Sequence, residues 1–158
     1  MALFSLMVTL DDERNNVLRQ VIVDGESSLF DLHQQLVDYF SLPKGEMASF
    51  YYVEGEWEVG REIPIEAFNP KAQPETMLTT TVEDVFSQES RMVFVYDFLA
   101  LWSFFVERVK LADDISEPGL VASVGQLPDS PPEKSFEGDL NGMADDDFLD
   151  DDFDEEWQ

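Results

Sequence analysis

The chain is 158 residues long, the size of a single domain, and its 44% hydrophobic and 13% aromatic residues are enough for a packed core. Its 35 acidic residues against 9 lysines and arginines give a formal net charge of -26, which repels nucleic-acid phosphates and anionic lipid headgroups. We therefore expect no direct binding to nucleic acid or to membranes, and the absence of cysteine excludes disulfides, thiolate metal sites and cysteine nucleophiles.

The first half of the chain predicts a hairpin, a helix and a third strand. Apolar residues alternate over 4–10 and a second β-rich run covers 17–23, which together predict an opening hairpin. The start lacks the basic region and cleavage site of a signal peptide, so we interpret it as a strand and expect a cytoplasmic protein. Ser28 begins a capping pattern followed by apolar residues at helical spacing, which predicts the main helix over 28–40. Residues 49–53 predict the third strand.

The second half of the chain predicts a short helix and a second hairpin. Residues 54–80 are rich in glycine, proline and glutamate, which indicates a long surface connection. Within it, glutamates alternate around Trp57 in a way that favours the solvated face of an edge strand, at Glu54, Glu56, Glu58 and Glu62. A capping pattern predicts a short helix over 81–86, and apolar residues on both faces of 91–98 predict a strand at the sheet centre. Residues 102–111 alternate and return antiparallel beside that strand. Beyond them the chain is polar, apart from a short apolar stretch over 120–124.

This order of elements predicts the fold class α+β, with a single globular domain over 1–136. We expect a mixed, mostly antiparallel twisted sheet with one main helix packed on one face, as in β-grasp-like folds. Residues 137–158 hold 11 acidic residues and no basic residue. Because like charges repel and little apolar surface is available for burial, we expect a disordered acidic tail over that range.

Four short pieces of the chain form a pattern that is specific enough to compare with known families. They are Phe50 after the main helix, the strand end 96–98 (Tyr-Asp-Phe), Trp102 at the start of the next strand, and the glycine-then-proline segment 125–133. Together they resemble the Ri-plasmid (pRiA) ORF-three-like family over roughly residues 3–136. Members of that family are often labelled transposon-passenger resolvase-like proteins, so the resemblance implies a link with mobile genetic elements.

The chain departs from that family at its polar positions. The family's usual pattern is Tyr-Asp, then Gly-Asp, then Trp, then His two residues later. Here residues 99–100 are Leu-Ala, and Phe104 stands at the histidine position. Only Tyr96, Asp97 and Trp102 carry over, so the chain resembles an acid-tailed branch that has lost the polar residues of a shared site.

Asp97 is the most informative candidate residue within the predicted domain. A carboxylate at the end of a central strand beside aromatic residues can line a pocket, which makes Tyr96, Asp97 and Trp102 a candidate ligand-binding site. The alternative is turn chemistry, in which Asp97 accepts hydrogen bonds from nearby backbone N–H groups. The single histidine, His33, has no signature of catalytic partners, and we expect a surface or boundary residue. We predict no catalytic residue, metal ligand or cofactor.

The tail combines acidic residues with spaced apolar side chains. Leu149, Phe153 and Trp157 lie four residues apart, so they share one face when the segment is helical, and Phe148 precedes them. Acidic segments with spaced aromatics suit docking on a basic groove with apolar pockets. A plain solubilising tail is one alternative. Divalent-cation binding is another, although the spacing lacks the glycine and final glutamate of an EF-hand loop.

Three hypotheses about function follow from these observations. The leading hypothesis is a non-enzymatic protein-interaction module whose tail docks on a basic protein, such as a nucleic-acid-binding protein. The alternatives are a small-ligand-binding protein or enzyme with a cleft near Asp97, and an accessory factor of mobile genetic elements.

Overall fold

A computed structural model describes residues 2–67, 71 and 75–128 of the chain. Within these ranges the backbone forms strands β1–β7 and helices α1 and α2. Their bounds, in chain order, are β1 (Leu3–Leu10), β2 (Leu18–Asp24), α1 (Leu29–Phe40), β3 (Ala48–Glu54), β4 (Glu58–Pro64), α2 (Val82–Phe86), β5 (Arg91–Tyr96), β6 (Trp102–Val109) and β7 (Gly119–Val124).

The described strands form one sheet in the order β4-β3-β5-β6-β1-β2-β7. The hairpins β1–β2, β3–β4 and β5–β6 are joined by the longer-range pairs β3–β5 and β1–β6. The predicted α+β class, with a mostly antiparallel sheet and few helices, is confirmed. The mixed sheet and the β-grasp detail are not confirmed, because every pairing among the described strands is antiparallel.

Helix α1 provides the apolar face that packs against the sheet. Ser28 caps its start, since the side chain accepts a hydrogen bond from the backbone N–H of Asp31 at 3.0 Å. Ser41 ends it in the left-handed conformation, with a φ of 58°. The predicted main helix is therefore confirmed. Its buried stripe consists of Leu29, Leu32, His33, Leu36, Val37 and Phe40.

The centre of the core is a cluster of aromatic rings around Phe94 of β5. The ring of Phe94 is fully buried and lies 4.8 Å from Phe50, 6.0 Å from Phe104 and 6.2 Å from Tyr96, measured between centroids. Offset and tilted ring pairs at these distances add to the free energy gained from burial. Because β5 lies between β3 and β6, this cluster joins the two halves of the sheet.

The prediction of a long surface connection over 54–80 is wrong in part. Strand β4 lies inside that range and pairs with β3, and Ile63 on it is fully buried. A short turn through Gly55, whose φ of 64° suits glycine, reverses the chain between the two strands. Strand β4 lies at the edge of the sheet, as the alternating glutamates indicated. The apolar stretch 120–124 is also part of a strand, β7, which pairs with β2.

The predicted domain boundary at residue 136 and the predicted tail over 137–158 lie outside the described residues. So do the tail residues Phe148, Leu149, Phe153 and Trp157. Neither helix in the described part of the chain is long and apolar enough to cross a membrane.

Replacing Phe94 with Ala should lower the free energy of unfolding by roughly 3–5 kcal/mol, because the neighbouring rings cannot fill the cavity that is left. Urea unfolding measures this change. Leu99→Ala is the control, since that side chain is 96% exposed and its loss should change stability by less than about 0.5 kcal/mol. Equal stability of the two variants would contradict a core centred on Phe94.

Candidate functional site

The three predicted site residues lie at one end of the hairpin β5–β6. Tyr96 and Trp102 are opposite each other in the strand register, and both side chains are buried. Asp97 follows Tyr96 and begins the connection to β6. The three residues therefore lie close together in space, but they have different roles.

Asp97 organises the connection between the two strands. Its φ of 63° places it in the left-handed region, which aspartate tolerates better than most residues. Its carboxylate accepts hydrogen bonds from the backbone N–H groups of Leu99 and Ala100, both at 3.2 Å. Its own N–H donates to the carbonyl of Met47 at 2.7 Å. These contacts are the turn chemistry that the sequence analysis gave as the alternative to ligand binding.

Tyr96 attaches the loop after α1 to the end of the sheet. Its hydroxyl donates to the carbonyl oxygen of Pro43 and accepts from the backbone N–H of Glu46 at 3.3 Å. The side chain is 1% exposed, and this burial raises the pKa of Tyr96. The ring is therefore held neutral at ordinary pH and acts as a wall for the space beside it.

That space is a cleft of about 740 Å³ between α1, the loop 43–47 and the residues after β4. We call it the His33 cleft. Neither Asp97 nor Trp102 is among its described lining residues, so their assignment to ligand binding stays a prediction. The described lining consists of Phe30, His33, Gln34, Val37, Asp38, Lys44, Gly45, Glu46, Met47, Ile65, Glu66, Ala67 and Tyr96.

His33 is buried, so the expectation of a surface or boundary residue is wrong. Only 7% of it is exposed, because its imidazole lies among three aromatic rings. The centroid distances are 5.3 Å to Phe30 and 5.9 Å to both Phe94 and Tyr96. Its Nδ1 atom has no hydrogen-bond partner within the part of the chain that the structure describes.

Burial also sets the charge of His33. It lowers the pKa of the imidazole below the ordinary value of 6.5, and the nearby carbonyl of Phe30 opposes this shift without cancelling it. The ring is therefore neutral at pH 7. A neutral imidazole has one donor and one acceptor nitrogen, and of these Nδ1 is fully buried.

The polar groups of the cleft lie at its rim. Lys44 Nζ is 3.8 Å from Asp38 Oδ1, and both side chains are well exposed, so this ion pair contributes little to stability. Glu46 and Glu66 are exposed at the same rim. In the described ranges, no group of three or more histidine, aspartate or glutamate residues is placed to hold a metal ion.

The His33 cleft was not predicted from the sequence, although one signal for it was present. His33 lies three residues before Leu36, four before Val37 and seven before Phe40, all of which are buried on α1. This spacing places the histidine on the apolar stripe of the helix. The position of His33 on this stripe was therefore the signal that its side chain would be buried.

The burial of His33 makes stability depend on pH in a specific direction. Since the folded pKa lies below the unfolded value of about 6.5, the unfolded state binds more protons between the two values. The stabilisation is therefore complete above about pH 6.5 and is lost as the pH falls toward the folded pKa.

We expect the wild-type protein to lose more stability than His33→Gln between pH 7.5 and pH 5.5. Urea unfolding of both proteins at the two pH values measures the difference, and the carboxylates that titrate nearby are common to both. A difference between the two proteins that does not change with pH would contradict a buried neutral His33.

The chain is similar in fold to a solved structure and similar in sequence to a known protein family. The fold resembles that of a protein of unknown function from Methanosarcina mazei Go1, with a TM-score of 0.60 and 16% sequence identity. The match covers 77% of this chain and 68% of that chain, and at this identity it shows a shared fold. No match was found among curated proteins.

The family model for plasmid pRiA4b ORF-3-like proteins matches residues 2–155, and it confirms the family predicted from the pattern around Tyr96 and Trp102. The chain belongs to the plasmid pRiA4b ORF-3-like protein family.

Proposed function

We propose that this protein binds a small, largely apolar molecule in the His33 cleft. The observation that carries the proposal is the cleft itself, whose described lining is mostly apolar and includes the buried imidazole of His33. The Nδ1 atom of that ring is fully buried and makes no complete hydrogen bond, although the carbonyl of Phe30 acts on the ring. A buried polar atom with incomplete hydrogen bonding costs free energy on the order of 1–3 kcal/mol, and native proteins concentrate such atoms at functional places.

The size and the walls of the cleft support this function. Its volume of about 740 Å³ lies in the range of about 300–1,000 Å³ that is typical of small-molecule pockets. Phe30, Val37, Met47 and Ile65 provide apolar surface, while the polar groups are few. Pockets of this kind hold a ligand by apolar contact and orient it with a small number of hydrogen bonds.

The proposal keeps the small-ligand hypothesis from the sequence but moves its centre from Asp97 to His33, with Tyr96 common to both. Binding is better supported than catalysis, because the described lining holds no serine, threonine or cysteine for which His33 could act as a base. Membership of the family supports no particular activity, since the family is described only by its plasmid reading frame.

A fragment screen by protein-detected NMR tests the proposal. We expect bound fragments to shift the signals of His33, Tyr96 and residues 44–47, and to leave those of β7 unchanged. Ala67→Trp should weaken their binding at least about tenfold, which corresponds to about 1.4 kcal/mol, because the indole fills the cleft.

Ala112→Trp is the matched control for that variant. It adds the same side chain at an exposed position outside the described lining, so affinities should equal those of the wild type. If no fragment shifts the cleft signals, or if both tryptophan variants bind every fragment equally, the proposed function is wrong.

A second function is proposed for the C-terminal residues, from sequence alone. Residues 137–158 combine 11 acidic side chains with Phe148, Leu149, Phe153 and Trp157. A charged segment that served only for solubility would not need aromatic residues. We propose that the segment docks on a basic protein, with the acidic residues speeding association and the rings providing affinity.

Replacing Phe148, Phe153 and Trp157 together with serine should abolish retention of the partner while leaving the net charge at its wild-type value. A pull-down with immobilised wild-type and variant chains at low and high salt measures this. Replacing Asp145, Asp146 and Asp147 with asparagine instead should weaken capture mainly at low salt. Undiminished capture by the serine variant would show that the segment acts only through its charge.

A further inference from the structure

The charges at the rim of the His33 cleft are unequal in number. Four charged side chains belong to the described lining, of which only Lys44 is positive. Lys44 lies beside Asp38, so one positive and one negative charge largely offset each other. Glu46 and Glu66 remain without a described cation among the lining residues. The mouth of the cleft is therefore negative.

The rest of the molecule strengthens this negative potential. Residues 1–136 hold 24 acidic and 9 basic side chains. Several of the bases are engaged in the fold, for example Arg19, which donates to the carbonyls of Leu18, Tyr39 and Val124. A cleft with walls of low dielectric focuses such a field on its mouth. An anion entering the cleft would be repelled, whereas a cation would be concentrated there.

The interior of the cleft favours a flat apolar body. Phe30 is partly exposed and lies tilted against the imidazole of His33 at 5.3 Å, so it provides an aromatic wall. Tyr96 contributes little surface to the lining, because its side chain is 1% exposed and its hydroxyl is bonded to Pro43 and Glu46. Aromatic faces attract cations as well as apolar rings. The interior of the cleft therefore favours the apolar part of a ligand, and the rim favours a positively charged group on the same molecule.

We infer that the ligand of the His33 cleft is a flat aromatic molecule that carries a positive charge at neutral pH, such as an arylalkylamine or an aromatic quaternary ammonium ion. Its ring system lies against Phe30, and its charged group faces Glu46 and Glu66. This inference rests on the proposed function of the cleft and adds to it the chemical class of the ligand.

Two aromatic dyes of similar size but opposite charge test the inference. We expect the cationic dye thioflavin T to bind the full-length chain at least about tenfold more tightly than anionic anilinonaphthalene sulfonate in 50 mM salt. The preference should shrink in 500 mM salt, because surface charges are screened. Dye binding is measured for the wild type and for Ala67→Trp, and only the part that the variant loses is assigned to the cleft. The part that remains reflects general attraction of the cation to an acidic chain.

Two double variants test whether the rim carboxylates cause the preference. Glu46→Gln with Glu66→Gln should reduce the preference for the cation severalfold. Glu58→Gln with Glu107→Gln removes the same charge from exposed positions outside the described lining, and it should leave the preference unchanged. The latter two residues lie on β4 and β6, away from the strand ends that border the cleft.

The outcomes separate the ligand class from the proposed function. Equal binding of both dyes in the cleft, or tighter binding of the anionic dye, overturns the inferred class and leaves small-molecule binding intact. An equal effect of the two double variants also overturns it, since the selectivity then comes from overall charge. If Ala67→Trp binds each dye as well as the wild type does, or if neither protein binds a dye, both the inferred ligand class and the proposed function are wrong.

Discussion

The hydroxyl of Tyr96 is the contact on which the architecture around the candidate site depends. It comes from the end of the central strand β5, and its two hydrogen bonds reach Pro43 and Glu46 in the loop after α1. Among the described residues, the backbone contact between Asp97 and Met47 and the burial of Leu42 also hold this loop. Because the same ring forms one wall of the His33 cleft, core packing and site geometry are determined by a single side chain.

The few positive charges of this acidic protein serve its structure. Four of its five arginines lie over aromatic rings, with 4.4–5.2 Å between the guanidinium carbon and the ring centroid. Such contacts fix long side chains against the sheet and add cation–π attraction. Because the protein has 35 acidic residues and only 9 basic ones, its surface charge is dominated by carboxylates. The pairs are Arg19 over Phe40, Arg61 over Tyr52, Arg91 over Trp57 and Arg108 over Phe4.

The elements that could be predicted are those whose signals are local. The capping side chains of Ser28 and Thr81 bond to N–H groups three residues later, so both helices were visible in the sequence. The hairpins β1–β2 and β5–β6 followed from alternation and short connections. The alternating glutamates of 54–62 indicated a solvated edge, but β4 was not placed as an element, because the glycine and proline of the surrounding range favoured a surface connection. The pairing of β7 with β2 joins segments far apart in the chain, and no local pattern encodes it.

The sequence by itself determined the acidic charge, the absence of cysteine chemistry, the helix limits and the family, because each is a property of composition or of residues close together in the chain. Only the tertiary structure decided which candidate residue faces a cavity. Asp97 forms a turn, while His33 is enclosed by Phe94 and Tyr96 from a strand about 60 positions later. Burial of this kind results from contacts between distant segments, so the orphaned imidazole and its cleft exist only once the sheet has assembled around α1.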